Sequence, residues 1–318
     1  MEIILGIDRL VRSFTSPVVT LGNFDGVHLG HQRIFERVEE EAARNQGEGI
    51  VITFEPHPLK ILSPKNCPPL LTPFKKKMMF IEKSGIKTVL CIDFSVAFSM
   101  IPAFDFIKDI LVEKVKVKKV IVGYDYRFGR EKKGDVHTLQ DGGKLFNYQV
   151  EVMKPLTIGH TIVSSSKIRE LINGGMVEEA AKLLGRDYVI SGRVVRGSER
   201  GHTLGFPTAN LEISEELYPK VGVYAVEVEW DQHLFHGLAN VGYNPTFTAP
   251  ERGTSEGNPL SVEVHILNFS KDIYGQELEV NFRRRIRDEI YFASASQLVE
   301  QIKKDIQWAN DNVFGKTG

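Results

Sequence analysis

Two histidines three residues apart, His28 and His31, follow the apolar, β-branched run Val18-Val19-Thr20-Leu21 across a turn punctuated by Gly22, Gly26 and Gly30. Glycine lets a backbone approach a ligand where a Cβ would block it. Immediately afterwards Ile34, Val38 and Ala42 recur at one-turn spacing, the mark of an amphipathic helix. A strand, a glycine loop and a helix N-terminus make an anion site, because unpaired N–H groups and the helix dipole face the loop. Two imidazoles there add donors to a polyphosphate; the plain alternative is a surface turn with two solvent-facing histidines. Far along the chain, Thr208 and Asn210 stand two residues apart in Leu204-Gly205-Phe206-Pro207-Thr208-Ala209-Asn210. On an extended backbone they share one side. A hydroxyl and an amide oxygen are neutral ligands suited to Mg²⁺ already held by phosphates; the alternative is a proline-led turn with an Asx hydrogen bond. Near the end, Glu263 and His265 alternate with Val262, Val264 and Ile266. On local grounds that pair is the solvent side of a strand.

The segments between these residues must position them. Residues 49–54 read as a buried strand stopped by Glu55-Pro56-His57-Pro58. Residues 72–84 predict a helix with Phe74, Met78 and Ile81 on one face, and Lys75, Lys76 and Lys77 read as its solvated side, with phosphate steering the minor option. A strand over 87–94, a helix over 103–115 and a strand over 117–122 follow. The last strand runs into Gly123-Tyr124-Asp125-Tyr126-Arg127-Phe128-Gly129. Strands alternating with helices predict a parallel, doubly wound sheet, whose ligands sit beyond the carboxyl ends of its strands. Segments 22–31, 55–58 and 123–129 should therefore converge. Ser164-Ser165-Ser166-Lys167-Ile168-Arg169 opens a short helix. Its serines are N-caps on local grounds; the same hydroxyls, helix N–H groups and Arg169 can also hold a triphosphate. A helix over 177–184 closes the first domain.

From Tyr188 the texture changes to short strand-like segments at 188–196, 222–230, 233–241, 260–267 and 277–284. Regularly spaced short strands without helices predict a small antiparallel barrel. A terminal helix over 296–312, with Leu298, Ile302, Ile306 and Ala309 on one face, is expected to cap it. The fold class is thus α/β plus all-β, with domains at 1–186 and 187–318.

Composition narrows the function. The 318 residues carry a formal net charge of -1, which gives no general pull toward nucleic acid or a membrane surface. No apolar run approaches the ~20 residues that span a bilayer. Cys67 and Cys91 are the only cysteines and form no ligand pair, which fits a reducing, cytoplasmic setting. Residues 129–134 have the glycine spacing of a Walker loop, but Asp135 stands where lysine is required.

Residues 22–31 resemble the signature loop of nucleotidyltransferases with a His-x-Gly-His motif. With Phe24-Asp25-Gly26 ahead of it, the string is similar to the bacterial bifunctional riboflavin kinase/FAD synthetases. Residues 123–129 resemble that family's second nucleotide loop, and residues 164–169 its Ser-Ser-Thr-x-x-Arg motif, with Ser166 in place of Thr. Residues 207–210 resemble the Pro-Thr-Ala-Asn motif of riboflavin kinases, and 192–204 their nucleotide-covering segment, with His202 where Arg is common. The resemblance implies a Rossmann-like nucleotidyltransferase domain and a riboflavin-kinase barrel. It implies phosphorylation of riboflavin to FMN by ATP, then adenylylation of FMN to FAD with release of pyrophosphate. It assigns His28 and His31 to catalysis, and Gly22, Phe24, Asp25, Gly30, Gly123, Asp125, Arg127, Ser164, Ser165 and Arg169 to the first ATP. For the kinase it assigns Gly201, Thr208 and Asn210 to Mg-ATP, Asn240, Asn244 and Tyr224 to the flavin, and Glu263 as the base for the ribityl 5′-hydroxyl. Its partners are these small molecules, with no nucleic acid, no membrane, and weak self-association left open. Two rivals remain: a barrel that only binds or senses flavin, and a flavin-carrying protein without turnover.

Overall fold

The computed structural model describes residues 1–197, 205–213, 217–243 and 260–315. The chain forms two compact units, Met1–Ser165 and Ser166–Gly318.

The first unit is built on six strands: β1 (Glu2–Leu5), β2 (Val18–Leu21), β3 (Gly49–Glu55), β4 (Thr88–Asp93), β5 (Lys119–Gly123) and β6 (Gln149–Met153). They pair in the order β1-β4-β3-β2-β5-β6, and every pair is parallel. The doubly wound expectation holds, with two strands added at the edges. Alternate strand residues feed two separate cores. Val18, Val51, Val89 and Ile121 face α1 (Leu29–Arg44) and, beyond the short α2 (Pro58–Leu62), α3 (Phe74–Lys83). Val19, Ile50, Leu90 and Val120 face the other layer. After the single turn α4 (Val96–Ser99), that layer holds α5 (Ala103–Asp105), which widens into π-helical turns over Phe106–Lys114, and α6 (Val136–Phe146). Helices on both faces are what let the strands be apolar throughout.

The lysine run of α3 corrects the sequence reading. Lys75 is exposed, but Lys76 and Lys77 are buried. Lys77 lies three residues after Phe74 and four before Ile81, on the apolar stripe rather than opposite it.

A charge network joins α1 to the far strands. Arg37 Nε reaches Glu151 at 2.6 Å and Lys119 Nζ reaches it at 2.8 Å, while both cations also pair with Glu41. The Arg37 hydrogen bond, with help from Lys119, pulls the Glu151 carboxyl down to about 2.

A short antiparallel hairpin, β7 (Thr157–Ile158) and β8 (Thr161–Ile162), leads into α7 (Ser165–Asn173), along which the second unit begins; α8 (Val177–Leu184) follows, and then a barrel. Its strands are β9 (Tyr188–Val195), β10 (Ala209–Glu212), β11 (Gly222–Trp230), β12 (His233–Tyr243), β13 (Leu260–Ile266) and β14 (Glu277–Arg287). Every neighbour is antiparallel, and β9 closes onto β10. The terminal helix α9 (Ala295–Ala309) packs Ile306 and Ala309 on Ala225 and Leu238. Ala225 shares its strand face with Glu227 and Glu229, so the helix covers the outer wall instead of capping an end. Arg287 anchors it through two hydrogen bonds from its Nε and one from its Nη2 to the buried Asp305 carboxylate.

Candidate active sites

In the first unit, the chain leaves β2 to build one side of the sheet and returns at β5 to build the other. The carboxyl ends of β2 and β5 thus flank the topological switch point, the place where open α/β sheets bind ligands. The loop after β2 ends at His28, with His31 in the first turn of α1; Gly123 ends β5, and Asp125 and Arg127 lie in the loop after it.

The first loop is folded tightly on itself. Phe24 and Val27 have positive φ, flanking Gly26. This bends the Phe24 ring back over Gly22, where an added Cβ would lie 2.9 Å from it. His31 packs edge-on against Phe24 with ring centroids 5.2 Å apart, and His28 stacks on His31 at 3.5 Å. His28 is buried and caps α1, its Nδ1 accepting from the His31 N–H at 3.3 Å. An imidazole nitrogen that accepts has no proton, so neutral His28 carries its hydrogen on Nε2 and offers a donor there. Gly30 leaves room for that ring: a Cβ would approach it to 3.2 Å.

Asp25 pins the loop. Its carboxylate is buried and accepts from the Leu71 and Thr72 amides, each at 3.1 Å, and its carbonyl accepts from Ser165 Oγ at 2.8 Å. Ser165 is the first residue of α7, so this bond brings the Ser164-Ser165 segment to the histidine loop. Arg169 lies one turn along α7, in the second unit. Asp125 is exposed, and Arg127 pairs with Asp135 at 3.3 Å.

Beneath the loop sit two residues that the sequence reading did not assign to the site. Lys77 Nζ donates to the Asn23 carbonyl, Thr53 Oγ1 and the Phe54 carbonyl, each at 3.4 Å, with Glu55 at 4.0 Å. Thr53 Oγ1 donates to the same Asn23 carbonyl at 3.3 Å. The end of β3 and the loop after β2 therefore meet through Thr53, Phe54 and Asn23.

In the barrel, register does the positioning. Asn210 of β10 stands opposite Glu263 of β13, and Glu263 stands opposite Asn240 of β12. Each lies between buried residues of its own strand and is itself half-buried, so the three form one polar row on the outer wall. Directly opposed side chains have Cβ atoms about 4.5–5.5 Å apart. Thr208 precedes Asn210 by two residues, on the same side of an extended chain. It also lines a cavity of about 380 Å³ with Ala209, Val264, Ile266, Ile273 and Tyr274. Gly197 leaves space for the Asn210 amide, which an added Cβ would strike. At the other end of the row, Asn240 Nδ2 donates to Glu289 at 3.2 Å, across a Gly242 whose Cβ would collide with that carboxylate. His265 is anchored through Nδ1 to the Pro207 carbonyl at 2.8 Å.

One assigned residue is misplaced. Tyr224 is fully buried, edge-on to Phe282, with its hydroxyl bonded to the Lys220 carbonyl. It shares the inward face of β11 with Val226 and Val228, so it offers no surface to a flavin. Gly201 and Asn244 lie outside the described residues.

These two constellations fall in two separately recognised regions. The FAD synthetase family model matches residues 12–167, and the riboflavin kinase model matches residues 184–313. A bifunctional riboflavin kinase/FMN adenylyltransferase of Buchnera aphidicola from Schizaphis graminum is 37% identical over 96% of this chain and 97% of its own. The Escherichia coli K12 protein of the same name is 36% identical over 100% of this chain and 99% of its own. The chain belongs to the bifunctional riboflavin kinase/FMN adenylyltransferase family. A solved structure from Streptococcus pneumoniae, described as a macrolide-efflux protein, matches with a TM-score of 0.86 and 32% identity, covering 97% of this chain and 98% of that one. Among the described residues, no helix is long and apolar enough to cross a membrane. Family membership also accounts for the chain's two architectures: one matched region contains β2 to β6 of the parallel sheet, the other the barrel.

Proposed function

We infer that this chain performs two consecutive steps of flavin-cofactor synthesis. ATP phosphorylates riboflavin to FMN on the barrel. A second ATP then transfers AMP to the FMN phosphate at the parallel-sheet site, giving FAD and pyrophosphate. What carries the reading is that each matched region holds its own donor set where its fold can present one to a ligand. We place the functional boundary at residue 186, just before β9.

Adenylyl transfer asks for positioning and charge stabilisation. A phosphate oxygen of FMN attacks the α-phosphorus of ATP, and the bond to pyrophosphate breaks. In this reading His28 Nε2–H, His31, Ser164, Ser165 and the backbone N–H groups at the start of α1 take up the charge that develops on the phosphate oxygens. Gly22, Phe24 and Gly30 shape the loop around the imidazoles, Asp25 holds it in place, and Gly123, Asp125 and Arg127 border the nucleotide from the β5 side. Arg169 remains a proposed phosphate ligand on the strength of its motif.

Phosphorylating riboflavin adds a proton to remove. Glu263 accepts it from the ribityl 5′-hydroxyl as that oxygen attacks the γ-phosphorus and ADP departs. The row Asn210–Glu263–Asn240 fits this step, since the base sits between a nucleotide-side amide and a flavin-side amide. Among the described residues no cluster of His, Cys, Asp and Glu forms a metal cage. Thr208 and Asn210 instead offer two neutral oxygens on one side, the kind of ligand suited to a Mg²⁺ carried in on phosphates, and Gly197 leaves the Asn210 amide room to turn there. When bound, that ion would neutralise phosphate charge. The apolar cavity beside Thr208 is placed to take the nucleoside of the same ATP. Both cysteines are free thiols, which supports the cytoplasmic assignment.

The test supplies riboflavin and Mg-ATP to the purified chain and resolves products by chromatography. FMN should form first and FAD follow, with ADP and then pyrophosphate. A barrel that only binds flavin makes no FMN, and a carrier protein consumes no ATP.

A further inference from the structure

Lys77 is a cation with only 8% of its side chain exposed, in a helix stripe otherwise filled by Phe74, Met78 and Ile81. A purely structural role at that position would be met by another apolar side chain, because burying an ammonium costs free energy unless it is hydrogen-bonded. What this cation gains is three acceptors, and one of them is the Asn23 carbonyl of the histidine loop. Thr53 Oγ1, itself fully buried, donates to that same carbonyl. Two donors from two elements, α3 and β3, thus converge on one loop oxygen.

The direction of that oxygen matters. The Asn23–Phe24 peptide is trans, since the single cis bond among the described residues is Glu55–Pro56. In a trans peptide the C=O and the following N–H point opposite ways. Turning the Asn23 carbonyl down onto Lys77 and Thr53 turns the Phe24 N–H up, away from the core. It also fixes the positive-φ turn at Phe24, whose ring carries His31 and, through it, His28.

We propose that Lys77 and Thr53 are positioning residues for adenylyl transfer: through the Asn23 carbonyl they set the loop backbone and the histidine pair against the phosphates. This rests on the reading that the histidine loop holds ATP. Burial draws the Lys77 ammonium below its ordinary pKa, while Glu55, Cys91 and Asp25 pull the other way. Of these, the Glu55 and Asp25 carboxylates favour its charged form, whereas burial keeps the Cys91 thiol protonated and neutral.

Lys77→Met keeps length and removes the charge; Thr53→Val keeps shape and removes the hydroxyl. Both act through the loop rather than by touching substrate, so the loss should appear in kcat. For Lys77→Met the turnover of supplied FMN to FAD should fall about 10²-fold, the scale of a ~1 Å misplacement. KM for ATP and FMN should stay within a few-fold. Riboflavin phosphorylation by the same chain should be unchanged, because it is assigned to the other unit, and a wild-type far-UV circular dichroism spectrum with a cooperative urea transition certifies the fold of the first. Thr53→Val should shift kcat the same way but only about 2–12-fold, the net worth of one hydrogen bond. His31→Ala, measured alongside, tests the underlying reading: a fully active His31→Ala overturns the loop as the ATP site. If His31→Ala is crippled while Lys77→Met keeps its adenylylation kcat, the positioning role alone is wrong. If Lys77→Met fails to fold, Thr53→Val decides, and a wild-type kcat there overturns the proposal.

Discussion

The two sites proposed for this chain would solve phosphate chemistry by different means. The first is made of loops: backbone turns at the ends of parallel strands, two stacked imidazoles and the start of a helix. The second is made of register: three side chains on adjacent antiparallel strands, held in a row by ladder pairing. The difference follows the reactions. Adenylyl transfer needs many donors around a phosphate whose nucleophile is already ionised, and a curled backbone supplies N–H groups in number. Kinase chemistry needs one base aimed at one hydroxyl, and a strand residue fixed from both sides supplies direction.

The largest effect that would sharpen this contrast is at the base. Glu263→Ala should slow FMN formation by roughly 10²–10⁴ while leaving conversion of supplied FMN to FAD unchanged. Assays started from riboflavin and from FMN check both halves. At the loop site, removing one charge-stabilising donor should cost less. His28→Ala should lower FAD formation by ~2.7–4 kcal/mol of transition-state stabilisation. Because His28 also caps α1, the variant should lose a further ~0.5–2 kcal/mol of folding stability, readable by urea denaturation. FMN formation should survive.

Smaller still is the effect of crowding the row. Gly197→Ala pushes a Cβ into the Asn210 amide, so kcat/KM for Mg-ATP in the kinase reaction should fall about tenfold, ~1.4 kcal/mol, with adenylylation untouched. The smallest effect is on stability rather than chemistry. The folded Glu151 carboxyl sits at about 2, below its unfolded value, because of Arg37 and then Lys119. Its contribution is therefore fully present above the unfolded pKa and is lost as pH falls through the folded one. Urea midpoints of wild type should drop between about pH 4.5 and 2 more steeply than those of Glu151→Gln, which should be the less stable protein at pH 7.

Much of this arrangement was legible in the sequence because burial leaves a strong pattern. Strands β2, β3, β4 and β5 are apolar on both faces and read as continuous runs. The edge strand β1 was missed because Ile3 and Leu5 are half-exposed and nothing in four residues separates them from a loop. Helix α6 was missed because its interior carries Gly142 and Gly143, poor helix formers that are kept because a Cβ at either would strike Tyr148. In the barrel, β10 is four residues long and follows Pro207, too short for period-2 alternation to show.

The site residues divide the same way. The motif strings singled out the histidine loop and the threonine–asparagine pair proposed as sites, but no string shows that Asn210, Glu263 and Asn240 are cross-strand neighbours; only pairing does. Lys77 was misread because three successive lysines look like a wet surface. The spacing 74, 77, 78, 81 held the correction, since it is one helix face. Tyr224 erred in the opposite direction: its alternation with Val226 and Val228 already pointed it inward.

The most direct test of two independent sites is complementation in one tube. His31→Ala and Glu263→Ala chains, each confirmed folded, are assayed alone and mixed, with riboflavin and Mg-ATP supplied. Alone, the first should accumulate FMN and the second should leave riboflavin unchanged; mixed, they should make FAD through free FMN. A mixture that makes no FAD, or a single variant that has lost both reactions, would contradict the assignment.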